Sequence, residues 1–250
     1  RQMCIRDSYT PTQSELKSVI DGMKESADID ELVEDERYIG CHRYLFDLEQ
    51  FQVIDNSINI FPKTRLDVEL DKSDSITSSI PPYFSKYISE LANFDANLQQ
   101  FLIRHTAVLL TSNRKLRRGL IFYGKANNGK SVYIKLMRSF FYRQDVVSKT
   151  LNELGGKFDK ESLIGKRLMA SDEIGQSKID EKTVNDFKKL LSVEPIHVDR
   201  KGRTQVEVTL DLKLLFNTNA VLNFPPEHAK ALERRITTVS YTHLRAHETG

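Results

Sequence analysis

The sequence predicts an α/β protein with a parallel central sheet, preceded by a smaller region of mixed strands and helices. Three observations predict this fold. Short apolar runs of the buried-strand type alternate with stretches of helical spacing after residue 114. Glycines and a lysine follow the first of these runs, and acids and amides follow two later ones. Because strands joined by helical crossovers form parallel sheets, these polar ends are expected to meet at one edge.

The composition is that of a protein with a hydrophobic core and no membrane span. Of 250 residues, 39% are hydrophobic and 29% are charged, and no apolar run approaches the roughly 20 residues that a span requires. The formal net charge is +2, so a nucleic-acid surface would need local clustering of cations. Cys4 and Cys41 have neither a disulfide framework nor metal-ligand spacing, which indicates a reducing, cytoplasmic setting.

We divide the chain into four segments: 1–8, 9–113, 114–239 and 240–250. The first and last resemble translated sequencing-adapter read-through, and we set them aside from fold reasoning as one would a tag. The alternative is an ordinary N-terminal turn and a polar tail. If both are foreign, the natural protein extends further in both directions.

The N-terminal region, 9–113, carries no chemical motif, so packing and partner contact are its default roles. Residues 43–60 alternate apolar and polar side chains, which predicts short strands with a turn at 55–57. The acidic stretch 28–36 is predicted to be exposed, and the proline-containing stretch 62–82 to be a connector. Apolar spacing predicts helices over 14–23, 83–91 and 98–110.

The core segment alternates strands and helices. A helix is expected from residue 132 toward 142, followed by helical material up to 163. A hairpin is expected with its turn at 199–203, because alternating residues flank a cluster of turn formers. Short apolar runs predict strands at 120–123, 146–147, 167–171 and 214–219, with a last strand after 235.

A glycine-rich stretch at the first strand-to-helix junction carries the strongest chemical signal. It fits G-x-x-x-x-G-K-[ST], in which glycines let backbone N–H groups close around phosphates at a positive helix N-terminus. Lys130 is expected to reach the β- and γ-phosphates, and Ser131 to place its hydroxyl on Mg²⁺. The motif therefore predicts binding of ATP with Mg²⁺. Its residues are Gly124, Lys125, Ala126, Asn127, Asn128, Gly129, Lys130 and Ser131.

Polar side chains end two later strands. Asp172 is expected to hold Mg²⁺ directly or through water, and Glu173 to polarise the attacking water. The alternative for this pair is capping of the next helix. Asn219, the last residue of the other strand, is the candidate for orienting the water, although such an Asn is also a common turn residue. Asn217 is expected to point into the sheet or to its opposite face.

Two groups of cations are candidates for function. Arg234 and Arg235 precede the last strand and could supply an arginine finger to a neighbouring subunit's γ-phosphate; alternatively they offset the dipole at a solvated helix end. Arg200, Lys201 and Arg203 lie on the hairpin turn, where they would suit contact with a nucleic-acid backbone. An ordinary polar hairpin tip is the alternative.

Taken together, these elements resemble the superfamily III helicases, the compact AAA+-like group of small-virus, phage and plasmid replication proteins. The resemblance is greatest to the phage and plasmid primase-helicases, covers residues 116–239 well and covers 47–113 loosely. Ala170 and Ser171 are less bulky than the aliphatic residues usual in the second motif. The motifs that carry the resemblance are 163–168 with Asp172-Glu173, 186–192 with 199–203, 216–219, and 234–236.

The resemblance implies a ring, usually hexameric, that hydrolyses ATP between subunits and moves hairpins along single-stranded DNA. It would act in the replication of a phage, plasmid or other mobile element in the cytoplasm of a bacterial host, with a primase domain or protein as a companion. Lys130 and Ser131 would hold phosphate and Mg²⁺, and Asp172 and Glu173 would serve the metal and the water. Asn219 would sense the γ-phosphate, and Lys201 would contact DNA. Arg235 would be the arginine finger, with Arg234 as second candidate.

Two other functions fit the same motifs. An AAA+-type ATPase that remodels or loads protein partners would use the nucleotide site but would not need Lys201. A nucleotide-bound origin-binding module with a structural ATP site would not need Glu173.

Overall fold

The computed structural model describes residues 34–56, 60–70, 80–112, 118–125, 128–174, 179–220 and 224–241. The helix expected over 14–23 and most of the acidic stretch lie outside the described residues. So do Ala126 and Asn127 of the glycine-rich loop, and the terminal segments 1–8 and 242–250.

The N-terminal region begins with a four-stranded sheet in the order β3-β2-β1-β4. Its strands are β1 (Glu34–Cys41), β2 (Tyr44–Asp47), β3 (Gln52–Asp55) and β4 (Phe61–Leu66). Strand β1 is parallel to β4 and antiparallel to β2, which is antiparallel to β3. The alternation in 43–60 thus correctly predicted β2 and β3, although the chain turns between them at 48–51.

One prediction for this region is wrong: the predicted connector 62–82 starts inside β4. The end of the acidic stretch, residues 34–36, belongs to β1, and Glu36 is exposed as predicted. Acidic residues and prolines are depleted in strands, so composition argued against both. Pro62 is compatible with β4 because β4 is an edge strand. The outer side of an edge strand has no neighbouring strand, so a missing backbone N–H there removes no ladder hydrogen bond.

A bidentate ion pair joins β1 to β2. Arg37 donates to Asp47 from Nη2 at 2.6 Å and from Nε at 3.0 Å, and the Asp47 side chain is only 2% exposed. Asp47 Oδ1 also accepts from the backbone N–H groups of Glu49 and Gln50, at 2.8 and 3.1 Å. These bonds, that of Arg37 first, lower the pKa of Asp47 from 3.8 to about 2.

The stability of this sheet is therefore expected to depend on acid. Because the folded-state pKa is depressed, the ionised Asp47 stabilises the fold above pH 3.8, and this contribution is lost as the pH falls toward about 2. Asp47→Asn should melt below the wild type at pH 6, and the difference in Tm should shrink across that window in circular-dichroism melts. Glu69→Gln, at an exposed site, is the control. A difference in Tm independent of pH would contradict the assignment.

A pair of helices follows, as predicted: α1 (Pro82–Leu91) and α2 (Ala96–Leu110). Helix α1 begins with Pro82, whose missing N–H has no intrahelical partner to lose at this position. Helix α2 begins after Asp95, whose side chain accepts from the N–H of Leu98 at 2.9 Å.

The core contains the predicted parallel sheet. Within the described residues it has five strands, all parallel, in the order β11-β5-β10-β7-β6. They are β5 (Gly119–Tyr123), β6 (Val146–Val147), β7 (Leu168–Ser171), β10 (Lys213–Thr218) and β11 (Ile236–Ser240). The hairpin lies outside this sheet and consists of β8 (Pro195–Arg200) and β9 (Arg203–Thr209).

Helices cover both faces of the sheet. Alternate residues of β5 face opposite sides: Leu120 and Phe122 belong to one apolar cluster, Ile121 to the other. The first cluster includes α3 (Lys130–Ser139), and the second includes α4 (Glu181–Ser192) and α5 (Pro226–Glu233). This arrangement is a mixed α/β fold compatible with a nucleotide-binding core.

The N-terminal region contacts α3 along its whole length. The Tyr87 hydroxyl donates to the Gly129 carbonyl at the start of α3, and Thr106 is 2.9 Å from Tyr133 in its middle. The backbone N–H of Asp67 donates to the carbonyl of Phe140 just after its end, at 2.8 Å. The two regions therefore share one hydrophobic core.

The last strand of the core extends into the segment 240–250. Ser240 is the last residue of β11, and Tyr241 is buried beside Phe122. The backbone N–H of Tyr241 donates to the carbonyl of Tyr123 at 2.8 Å, which extends the pairing of β11 with β5 by one residue.

Candidate functional site

The glycine-rich loop lies between β5 and α3, as the sequence predicts. Gly124 and Gly129 have φ values of +145° and +82°, which only glycine adopts without strain. Gly129 is the N-cap of α3 and has no side chain to shield the first backbone N–H groups of the helix. These N–H groups and the positive end of the helix dipole form an anion-binding end.

The Lys130 ammonium is held inside this loop. Its Nζ donates to the carbonyls of Gly124 and Lys125, at 2.9 and 2.5 Å, and to Asn128 Oδ1 at 2.7 Å. The residue is 5% exposed, and burial lowers its pKa. These acceptors are neutral, so an anionic phosphate oxygen at the loop would be a stronger partner for the same ammonium.

The acid pair follows β7, at the same edge of the sheet as the loop. The Ser171 hydroxyl donates to the carbonyl of Glu173 at 2.8 Å and accepts from its N–H at 3.4 Å. Asp172 and Glu173 are exposed, so their carboxylates can reach a ligand. Ser171 thus stabilises the turn that presents both acids, a role that its small size does not indicate.

Asn217 connects the loop to the acid pair. Its Nδ2 donates to Ser131 Oγ at 3.3 Å and lies 3.5 Å from Asp172 Oδ1. The residue is 3% exposed, and among the described residues its Oδ1 has no hydrogen-bond partner. The expectation that Asn217 points away from the site is wrong. Strand alternation places it on the same face as Leu215, which packs in the cluster of α3.

Asn219, the residue predicted to contact the γ-phosphate, follows the end of β10 and is exposed. Its position beyond the strand, near the carboxyl ends of β5 and β7, leaves its side chain accessible to a ligand. Its contact with the γ-phosphate stays a prediction.

The oxygen atoms that meet at this site are suitable ligands for Mg²⁺ bound together with phosphate. A hydroxyl (Ser131) and a carboxylate (Asp172) contact one amide group. Mg²⁺ takes oxygen ligands, with one or two carboxylates and the remainder from phosphates and water. In the part of the chain that the structure describes, no three His, Cys, Asp or Glu side chains cluster as a self-sufficient metal site. One hydroxyl and one carboxylate could hold Mg²⁺ together with further oxygen ligands, such as those of phosphates and water.

The arginine pair lies at the opposite end of the sheet. The Arg235 carbonyl accepts from the N–H of Gly119, which begins β5, whereas the loop follows the end of β5. Five strand residues separate the two by about 13 Å or more. Arg235 donates from Nε to Ser192 Oγ at 2.7 Å and from Nη1 to the carbonyl of Ala231 at 3.0 Å. Arg234 is exposed.

The hairpin presents its cations at the tip. Ile196 and Val198 of β8 are buried in the core, and Gly202 in the turn has a φ of +68°. Lys201 and Arg203 are exposed at the turn. Arg200 is tied back by a bond from Nε to the carbonyl of Thr204 at 3.1 Å, so it is less available than the other two.

An exposed aromatic residue immediately precedes the 3-10 helix that contacts the hairpin. Glu161 accepts from the backbone N–H of Lys201 at 3.2 Å, and Phe158 caps the same 3-10 helix (Asp159–Leu163). Phe158 is the N-cap residue and lies outside the helix itself. Its side chain is 43% exposed, with Lys157 Nζ 5.5 Å from the ring centroid. In the sequence, Phe158 is distinguished as a candidate only by its position next to Lys157 in a polar stretch.

Comparisons with known proteins support the mixed α/β fold. Residues 122–235 match the model of a family of unknown function, DUF5906. No curated protein matches the chain. Among the described helices, none has the length and apolar character needed to cross a bilayer.

Three solved structures of the C-terminal region of NrS-1 share the fold. An A-form apo structure has a TM-score of 0.52 at 19% identity, over 66% of this chain and 39% of that one. The A-form apo structure of residues 305–718 has a TM-score of 0.51 at 19% identity, over 66% and 38%. Another apo structure of 305–718 has a TM-score of 0.54 at 14% identity, over 81% and 58%. The chain thus spans two fifths to three fifths of those structures.

Proposed function

We propose that this chain is the ATPase core of a DNA helicase subunit that acts in the replication of a phage, plasmid or other mobile element. The observation that carries the proposal is the junction at Asn217, which contacts both Ser131 of the loop and Asp172 of the acid pair. A loop that cradles phosphate and an acid beside its hydroxyl are the parts that nucleotide hydrolysis requires. The fold that this core shares with the C-terminal region of NrS-1 is compatible with the proposal.

Each residue of the site has a role in this proposal. Lys130 binds the β- and γ-phosphates of ATP together with the loop N–H groups, from Gly124 to Ser131. Ser131 and Asp172 would hold Mg²⁺, which would neutralise charge on the phosphate oxygens. Glu173 takes a proton from the attacking water, and Asn219 contacts the γ-phosphate.

Hydrolysis in this proposal needs a second copy of the chain. Since the arginine pair lies at the far end of β5 from the loop of its own chain, an arginine can reach a γ-phosphate only in a neighbouring subunit. Arg234, which is exposed, is better placed for this than Arg235, whose guanidinium bonds to Ser192 and Ala231. We propose a homo-oligomeric ring, six-membered by the resemblance above, in the cytoplasm of a bacterial host, with a primase domain or protein as companion.

The proposed DNA surface consists of the hairpin tip and Phe158. Lys201 and Arg203 would contact phosphates of single-stranded DNA, with Arg200 in a supporting position. Phe158 would stack on a base, since an exposed aromatic ring beside cations is the usual platform for single strands. This stacking role is not sequence-specific, because every base has a π-face.

The test is ATP hydrolysis and DNA binding by the wild type and Lys201→Ala, with Lys182→Ala at an exposed site as control. DNA should stimulate wild-type hydrolysis, and Lys201→Ala should lose most of this stimulation. Phosphate contacts release counterions, so the plot of log K against log salt should become shallower by about 0.7 for each phosphate that the variant no longer neutralises. Hydrolysis indifferent to DNA in the wild type would favour the protein-remodelling ATPase. An unchanged slope and affinity would exclude backbone contact by Lys201.

A further inference from the structure

The N-terminal helix α1 reaches into the nucleotide site. The Tyr87 hydroxyl donates to the carbonyl of Gly129, the last glycine of the loop, at 3.0 Å. One turn later, Leu91 lies close enough to Gly129 that a Cβ there would contact its Cδ1 at 3.5 Å. Burial raises the pKa of the Tyr87 phenol, with Tyr133 adding to the shift, so the hydroxyl keeps its proton and remains a donor.

The Gly129 carbonyl belongs to the same peptide unit as the N–H of Lys130. In a planar trans peptide the C=O and N–H point in opposite directions. The carbonyl points along α3, where it accepts from the N–H groups of Val132 and Tyr133, both at 3.1 Å. The N–H of Lys130 therefore points out of the helix N-terminus, toward the position of a bound phosphate. A third donor to the carbonyl restrains this plane from outside the helix.

We infer that Tyr87 is a positioning residue for the phosphate loop, through which the N-terminal region becomes part of the nucleotide site. The inference rests on the proposed ATP site at the loop. Tyr87 does not contact the nucleotide. It holds the Gly129–Lys130 peptide unit in the orientation that directs a backbone N–H at phosphate. Binding of the phosphate therefore costs less conformational entropy.

Two positions of the same helix pair provide matched controls. Tyr83 lies four residues earlier on the same face of α1 and is 91% exposed. Thr106 bonds to the Tyr133 hydroxyl at 2.9 Å, which joins α2 to the middle of α3 and away from the loop. Tyr83→Phe thus removes an equivalent hydroxyl without a loop contact, and Thr106→Val removes a buried contact without touching Gly129.

The experiment compares binding of a fluorescent ATP analogue, Tm, and the kcat and KM of hydrolysis in the full chain. Tyr87→Phe should raise Kd and KM about fivefold, the effect of one hydrogen bond, with kcat unchanged because binding of the ground state and of the transition state is weakened equally. Its Tm should change little, since the Gly129 carbonyl keeps two donors. Thr106→Val should lower Tm and leave Kd unchanged, and Tyr83→Phe should alter neither.

The outcomes separate this inference from the proposed function. If the wild type binds no nucleotide, the proposed ATP site is wrong and the inference falls with it. If the wild type binds and Tyr87→Phe binds equally well, the site stands and the inference is overturned. An equal loss of affinity in Thr106→Val would also overturn it, because the effect would then come from general loosening of the helix pair.

Discussion

Lys130→Ala is expected to eliminate ATP hydrolysis. The side chain is the cation of the loop, and it is held there by the carbonyls of Gly124 and Lys125 and by Asn128. Loss of a charged donor to phosphate should weaken nucleotide binding about 10- to 100-fold. Hydrolysis should fall by at least about 100-fold, the effect of removing one preorganised donor to developing charge. Phosphate release and equilibrium binding of the analogue measure the two quantities.

The matched control is Lys135→Ala, which removes an exposed lysine from the same helix. It should leave both quantities within about twofold of the wild type, because exposed side chains away from a site contribute little. Circular dichroism of Lys130→Ala establishes that the loop variant still folds. A folded Lys130→Ala protein that hydrolyses ATP at the wild-type rate would refute the proposed site.

Glu173→Gln is expected to separate nucleotide binding from hydrolysis. Glutamine has the size of glutamate but cannot accept a proton from water, so turnover should fall about 100- to 10,000-fold. The turn that presents this residue is held through its backbone by Ser171, and the substitution leaves those bonds in place. Binding of the ATP analogue should therefore stay within about twofold, and the variant should accumulate ATP-bound protein.

Glu181→Gln, at an exposed position in the first turn of α4, is the control for loss of a carboxylate in this part of the chain. It should hydrolyse ATP like the wild type. Hydrolysis that survives in Glu173→Gln would require another base. If the wild type does not hydrolyse ATP, and if Glu173→Gln leaves DNA binding and function unchanged, the nucleotide-bound origin-binding module is favoured.

Local patterns predicted most of the core correctly. The parallel strands, the hairpin and the helices α1 and α2 were predicted because apolar periodicity and turn residues are local signals. The N-terminal sheet was predicted less well. Strand β4 pairs with β1 across more than 20 residues of sequence, and Pro62 and the acids of β1 carry no local strand signal. Long-range pairing, rather than propensity, decides such strands.

The arginine pair illustrates what a motif leaves open. The sequence places Arg234 and Arg235 side by side, and proximity to the strand favoured Arg235. In the fold, Arg235 bonds within its own chain, and Arg234 remains exposed. Both arginines lie in the turn between α5 and β11, so the choice between two neighbours depends on what packs beside each side chain.

Local sequence was sufficient to predict where the glycine-rich loop, the acid pair and the hairpin lie in the fold, because each is a short run whose conformation depends on adjacent residues. Which side chains meet at the site depends instead on the packing of the whole chain. Asn217 joins Ser131 to Asp172, and Tyr87 reaches Gly129 from a helix 42 residues earlier. Such contacts arise from the order of strands in the sheet and the docking of the N-terminal helices. No local pattern encodes these contacts, because burial of shared apolar surface determines both the strand order and the docking of the helices.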